Sequence, residues 1–527
     1  MLILYNANIY THSAGFNKAT AMCIDGQKIV AVGSDHEILD QFRSQSECID
    51  LRRKTIWPGL CDAHLHLQYL SESLQAIDCE TETKAECLKR VRERSKQISG
   101  SEWIKGHGWN QNVWENAEYG NTTELDAVAD GKPVFLTSKS LHAAWANSTA
   151  LRLAGITRSI SNPDGGIIMR DPDGEPNGIL LESATRLVSE IIPPTTDEQL
   201  MRQLKETQAH LWRMGITAVH DFDGFRVYKA LEQLNLNGDL KLSVLKNLPV
   251  DMLSELDGLK LRTGMGDNRL KLGHLKMFAD GALGPLTAAM FEPYEGRENS
   301  GILLLSEDEI IETGLVAAEK GWGLTIHAIG DLANHTVLTA YTKLHQFLKD
   351  RGLNNFRNRV EHVQCIRPED QALFKMTGAT ASVQPLHATS DMDIADRNWG
   401  NRSKNAYVFA DLQNLGILTL FGSDAPVESC NPFWGLHAAV NRRRKDGTPG
   451  EAGWHSEQRI SLGKAVDAYT VNPAVQAGWA RNIGRISPGF YADLIALEED
   501  PFVLNPHEIA DLKPAWTMVD GKFVFGG

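Results

Sequence analysis

Between residues 58 and 475 the chain repeatedly alternates short apolar runs with longer stretches of helical pattern. The runs are TIWPGLCDAHLHL, GITAVHD, LKLSVLKNLP, LGHLKMFADG, WGLTIHAIG, NRVEHVQC, GATASVQP and GILTLFGSDAP. Strands separated by helices predict a parallel sheet, and eight is the number that closes a (β/α)₈ barrel. The predicted fold class is therefore α/β, a TIM barrel. In such a barrel, reactive side chains stand where strands run into their following loops, so the polar ends of these runs are where chemistry is sought.

The spacing of the runs also predicts the domain organisation. Barrel sequence is expected at 58–69 and 205–475, because the interval from 70 to 204 is far too long for one barrel crossover. That interval holds the Trp-rich SEWIKGHGWNQNVWENAEYG, a strand-like KPVFLTSKS and the turn-rich NPDGGIIMRDPDGEPNG, and it reads as an inserted domain covering the substrate. Residues 1–57 and 476–527 are β-rich runs with Asp-Gly or Gly turns, and neither end has a complete core of its own. They are expected to pair into one composite β domain of sandwich type.

Composition narrows the function class. Fifty-three basic against 67 acidic residues give a formal charge of −14, which argues against nucleic acid or an anionic membrane as the main partner. The 7 cysteines are scattered without a CxxC pair, so no disulfide framework is expected and a reducing, cytoplasmic setting is the simpler reading. No uncharged apolar run approaches membrane-spanning length.

The polar ends of the runs carry the candidate chemistry. In DAHLHL, His64 and His66 share strand parity, so both imidazoles can face one metal while Leu65 points away. His327 in LTIHAIGD and His362 in VEHVQC stand at comparable strand ends; each is equally readable as a satisfied core histidine. Asp424 in LFGSDAP follows a hydrophobic approach and precedes Pro426, which restricts the exit from the strand. Beside a metal its carboxylate stays ionised and can orient a water and accept its proton; otherwise it caps a helix or an Asx turn. Lys276 shares parity with Leu272, His274 and Phe278, which carries it toward the barrel interior. An ammonium has no lone pair for a metal, whereas a carbamate formed on it has two oxygens; pairing with Asp280 is the alternative.

The ordered set of WPGLCDAHLHL, GHGWNQNVW, LHAAWANSTAL, GITAVHD, LKMFADGALGPLTA, LTIHAIGD, VEHVQ and FGSDAPVE resembles the amidohydrolase superfamily, specifically amidohydrolase family 3 and its YtcJ-like branch. The resemblance spans nearly the whole chain. It implies that His64 and His66 bind one metal, that N6-carboxylated Lys276 bridges to a second, and that His327 and His362 serve that second ion. Asp424 would both contact the metal site and act as the catalytic proton shuttle. The cofactor implied is one or two divalent ions, Zn²⁺ first. The implied activity is hydrolysis of a non-peptide C–N bond by metal-activated hydroxide, with N-substituted formamides and cyclic amides among the family's substrates. A homodimer is compatible with the family.

Six further residues are candidates for a small-molecule substrate pocket: Trp109, Asn112 and His142 in the insert, and His220, Asp221 and His387 at strand ends. Trp offers apolar contact, Asn recognises an amide, and a histidine N–H can steady an oxyanion. Asp221 can instead orient His220 or a metal-binding imidazole. Three competing functions share this sequence pattern: a mononuclear deaminase, a lactonase or esterase on the same barrel, and a noncatalytic metal-binding interaction protein.

Overall fold

The computed structural model describes residues 1–13, 16–100, 102–115, 118–138, 143–353 and 356–526. All eight apolar runs form strands of one 8-stranded sheet. In chain order they are β1 (Leu60–Leu65), β2 (Ile216–Asp221), β3 (Ser243–Pro249), β4 (Leu270–Phe278), β5 (Leu324–Ala328), β6 (Arg359–His362), β7 (Thr380–Val383) and β8 (Thr419–Phe421). Each pairs in parallel with the next. Every residue of β1, β2, β6 and β7 is buried, as parallel strands covered by helices must be. The helices after β6, β7 and β8, Pro368–Thr377, Pro385–Ser390 and Pro432–Asn441, each begin with proline. Its fixed φ and missing N–H suit the first helical position.

The barrel closes where β8 returns to β1. Asp424 N donates to the His64 carbonyl at 2.7 Å, and His66 N donates to the Ala425 carbonyl at 2.9 Å. Gly422 is required here: a Cβ at that position would stand 2.5 Å from the His64 nitrogen. The buried Asp62 adds a side-chain link, accepting from Ser423 N at 3.0 Å and from the Ser423 hydroxyl at 2.5 Å.

The two chain ends build one domain of two sheets. One has six strands, in the order Lys522–Phe525, Pro514–Val519, Leu494–Leu497, Thr55–Pro58, Asn8–Ser13 and Phe16–Ala19. The other has four, in the order Lys28–Gly33, Ala21–Asp25, Leu2–Tyr5 and Glu47–Asp50. Their shared core draws Leu4, Ile9, Met22 and Ile56 from one end and Leu494, Trp516 and Met518 from the other. Two continuous apolar runs are divided between sheets. LILYNANIY breaks at Asn6, whose φ of 54° sends its halves into different sheets. TIWPGLCDAHLHL breaks at Gly59, leaving Thr55–Pro58 in the terminal domain and giving the barrel its first strand.

Residues Ser71–Gln203 form a separate compact unit, while Met1–Leu70 and Leu204–Gly527 form the other. The separate unit contains its own six-stranded mixed sheet. The turn-rich NPDGGIIMRDPDGEPNG contributes an antiparallel hairpin, Gly166–Arg170 against Pro176–Glu182, because its short apolar stretches flank the DPDG turn. Among the described residues, no helix is long and apolar enough to cross a membrane, and all seven cysteines are free.

Leu494 is fully buried in the core shared by the two chain ends. Leu494→Ala is expected to cost about 2–5 kcal/mol in that domain. Hydrogen exchange should then show lost protection in the strands between Leu2 and Gly33 as well as near the substitution, with β2 to β7 unaffected.

Candidate metal centre

His64 and His66 leave β1 on one face, and each has one ring nitrogen held by a carboxylate. His64 Nδ1 donates to Glu361 Oε2 at 2.6 Å, and His66 Nδ1 donates to Asp223 Oδ1 at 3.1 Å. The opposite nitrogens converge: His64 Nε2 and His66 Nε2 lie 3.4 and 3.5 Å from the same oxygen, Asp424 Oδ1. Carboxylate-anchored imidazoles of this kind have a defined tautomer, with the free nitrogen's lone pair available to a cation.

Two further imidazoles join them. His362 Nδ1 donates to Gln384 Oε1 at 2.9 Å, and His327 Nε2 donates to the Gly281 carbonyl at 2.8 Å. The ring centroids of His64 and His362 are 4.9 Å apart, and those of His327 and His362 are 4.5 Å apart. Potential donor atoms of His64, His362 and Asp424 all lie within 4.8 Å of one another. His362 and Asp424 hold positive φ, 73° and 61°, a strained backbone for side-chain-bearing residues that recurs at functional sites.

Electrostatics sorts these groups into the protonation states a metal needs. Burial, more than any neighbour, pushes His64 down to about 4 and His327 to about 3, and it holds His362 well below the usual range. All three are therefore neutral imidazoles at neutral pH, the state a metal requires. Burial also pushes Asp424 upward, but the surrounding histidines, His64 and His66 foremost, outweigh it and hold the carboxylate far below its usual range. For His66, burial lowers basicity while hydrogen bonds to Asp223 and Asp424 prevail and raise it to about 9. A cation at this point would take the place of that proton. Neutral buried imidazoles with anchored second nitrogens and an ionised buried carboxylate make a donor set that fits a divalent metal.

Lys276 is buried beside this group, its Nζ 4.9 Å from the ring centres of both Phe222 and Phe278. Burial pushes its ammonium down to about 8, against the opposing pull of Glu361 and Asp424. The alternative pairing with Asp280 is not formed. Asp280 instead accepts backbone N–H groups from Ala289, Ile329 and Gly330 at 2.9, 3.0 and 2.8 Å.

The remaining sequence candidates fall in different places. His387 is buried with its ring parallel to that of His362 at 6.4 Å. Its Nδ1 accepts from Gln364 Nε2 at 3.4 Å, and its Nε2 has no partner among the described residues. His220 is fully buried and its Nδ1 accepts from Arg359 Nη1 at 2.9 Å. Asp221 forms a buried ion pair with Lys246 at 2.6 Å and accepts Leu67 N at 2.8 Å, bracing the loop that follows the HxH pair. Trp109 belongs to the core of the separate unit and donates to the Leu136 carbonyl at 2.8 Å. His142 lies outside the described residues, as does the side chain of Asn112.

Sequence reasoning missed the groups that orient the candidate ligands: Glu361, Asp223 and Gln384, with Arg359 behind Glu361. Arg359 and Glu361 are both fully buried and share parity on β6. Arg359 Nε donates to Glu361 Oε1 at 2.7 Å, and its Nη2 reaches the Ala63 carbonyl at 2.9 Å and Ser382 at 3.0 Å. The signal was present as two charged residues alternating in NRVEHV, since charge inside an apolar barrel strand demands a partner.

An eight-stranded barrel carrying neutral imidazoles around an ionised carboxylate at its strand ends defines a metal-dependent hydrolase. Residues 47–525 match the amidohydrolase family model, and the chain belongs to that family. It is 30% identical to YtcJ of Bacillus subtilis (strain 168) over 99% of each chain. It is 27% identical to the N-substituted formamide deformylase of Arthrobacter pascens, over 99% of this chain and 97% of that one. A solved metal-dependent hydrolase from Pyrococcus furiosus, 28% identical, superposes with a TM-score of 0.75 over 95% of this chain and 99% of the other.

Because Glu361 orients His64 and is itself neutralised by Arg359, Glu361→Gln should weaken metal affinity by about 10–100-fold. Competition with a chromogenic chelator on the folded variant reads this directly; unchanged affinity would remove Glu361 from the ligand scaffold.

Proposed function

We propose that this protein hydrolyses a C–N amide-type bond in a small molecule, with an N-substituted formamide or a cyclic amide as the substrate class. The observation that carries this reading is the position of Asp424, whose Oδ1 lies within 3.5 Å of the free nitrogens of both His64 and His66. A carboxylate so placed serves as ligand and proton carrier. His64, His66, His327, His362 and Asp424 would hold divalent metal, with Lys276 contributing once carboxylated. When bound, the cation supplies Lewis-acid polarisation of a carbonyl and lowers the pKa of water.

The chain's own residues account for the rest of the chemistry. Asp424, held ionised by the surrounding imidazoles, accepts a proton from the attacking water and returns it to the departing nitrogen. His387 offers its unpartnered Nε2 as an N–H donor to the developing oxyanion. Phe222 stacks on His64 with centroids 3.9 Å apart, Phe278 lies 5.4 Å from His327, and Tyr69 lies 5.8 Å from His66. Phe278 and Tyr69 are exposed, at 52% and 59%, so the approach to the histidines has an apolar, aromatic character. That character supports a substrate bearing an apolar or aromatic substituent, and the deformylase activity named for the Arthrobacter relative is of the same class.

His64, His362 and Asp424 are the histidine–carboxylate group whose donor atoms are mutually close among the described residues, which supports one divalent ion at this point. The binuclear reading rests on Lys276, whose lowered basicity makes its neutral amine available to carbon dioxide.

Asp424→Asn should retain metal while losing about 10²–10⁴-fold in kcat on an N-benzylformamide-type substrate. Metal analysis and steady-state kinetics on one preparation check both halves, and unchanged kcat would exclude Asp424 as the proton carrier. In the binuclear form, Lys276→Met should lower the metal content by one ion per chain and abolish a ¹³C-carbamate resonance after growth with labelled bicarbonate. No change in metal content and no carbamate signal in the wild type would establish the mononuclear form.

A further inference from the structure

A cavity of about 170 Å³ lies behind the helix that carries His387 and is lined by groups the proposed hydrolysis does not use. One wall is Leu386, Thr389 and Ser390 from the helix Pro385–Ser390. The facing wall is Trp434, His437 and Ala438 from the helix Pro432–Asn441. Each triplet has i, i+3, i+4 spacing, which brings the three side chains onto one helix face. The cavity is completed by Ala510 and by Arg443, Arg444 and Lys445 from the basic run NRRRKDG.

Its polar groups share one sign and are incompletely satisfied. His437 is only 4% exposed. Burial, then the charge of Arg443, push it down to about 4, leaving a neutral N–H donor. Arg443 is 9% exposed, and its Nε is buried without a partner. Carboxylates do reach the three cations: Glu451 pairs with Arg443 at 3.0 Å, Asp393 with Arg444 at 2.9 Å and Asp511 with Lys445 at 2.7 Å. Those side chains are 86%, 66% and 66% exposed, however, and none of them lines the cavity. Exposed pairs of this kind contribute little. Arg444 also donates to the Thr389 and Ser390 carbonyls at 3.0 and 3.2 Å, so Arg443 is the cation left with a donor that has no acceptor among the described residues.

We propose that this cavity is a second ligand site, taking a small monocarboxylate with an apolar body of aromatic-ring size. The carboxylate accepts from the Arg443 guanidinium and His437, and the ring lies among Leu386, Trp434, Ala438 and Ala510. The size agrees, since an apolar cavity of about 150 Å³ admits benzene. The ligand would contact the same short helix that presents His387 near His362, so the site adjoins the metal centre through one structural element. The inference does not depend on which bond the metal centre cleaves.

Titration of the full-length, metal-loaded protein with 4-fluorobenzoate, followed by ¹⁹F NMR, tests it. The expected result is saturable binding that weakens about tenfold or more in Arg443→Gln, the loss of a charge-assisted contact, and disappears when Ala438→Met fills the cavity. The neutral 4-fluorobenzyl alcohol should bind more weakly by a similar factor, which tests the charge requirement in the unaltered protein. Asp424→Asn should leave binding unchanged. Absence of saturable binding, equal affinity for the alcohol, or binding that survives Arg443→Gln and is lost in Asp424→Asn would overturn the proposal; the last would place the carboxylate at the metal centre.

Discussion

Two backbone hydrogen bonds, from Asp424 to the His64 carbonyl and from His66 to the Ala425 carbonyl, join the last barrel strand to the first. The residues that close the barrel are thus the residues whose side chains meet at its mouth. Geometry leaves little freedom in this arrangement, because Gly422 lets the two strands approach and Asp62 bonds across the seam to Ser423. If the seam opened, Asp424 would move away from both imidazoles together. The left-handed backbone at Asp424 and His362 costs about 1–3 kcal/mol at each position, and a closed, hydrogen-bonded barrel can sustain that cost.

Beneath the seam, buried charge does the orienting. Glu361 is kept ionised in a desolvated interior by Arg359 and by its hydrogen bond to His64, and those interactions outweigh the burial that would otherwise protonate it. Such a pair gives weak net stability, since desolvation offsets much of the attraction. Its value here lies in direction: the guanidinium reaches β1 through Ala63, β6 through Glu361, β7 through Ser382 and β2 through His220. A second buried pair, Lys246 with Asp221, supports the loop from which Asp223 holds His66. Both early histidines therefore have their ring orientation set by a carboxylate that is itself held by the barrel interior.

The tryptophans of the inserted region illustrate where residue type ceases to indicate role. Trp109 and Trp114 carry the right chemistry for a substrate surface, yet both belong to the core of a self-contained unit and spend their indole N–H groups on the Leu136 and Thr81 carbonyls. A large aromatic side chain serves packing and recognition equally well. Only its neighbours distinguish the two.

Much of the architecture could be read from the chain because it is written in local, repeating patterns. Eight apolar runs with helical sequence between them specify a parallel barrel, and alternation within β1 places His64 and His66 on one face. The interruptions were less visible, since Asn6 and Gly59 divide continuous apolar runs according to which sheet each half can join. The sequence by itself determined the strand inventory, the residue types at the strand ends and the resemblance to a hydrolase family. Tertiary structure alone decided that Glu361 rather than Asp221 anchors His64, that Asp280 leaves Lys276 without its ion pair, and that Asp424 meets residues some 360 positions earlier in the chain. These are long-range choices of partner, set by strand register and by which buried charges find each other when the barrel closes, and local sequence carries no record of them.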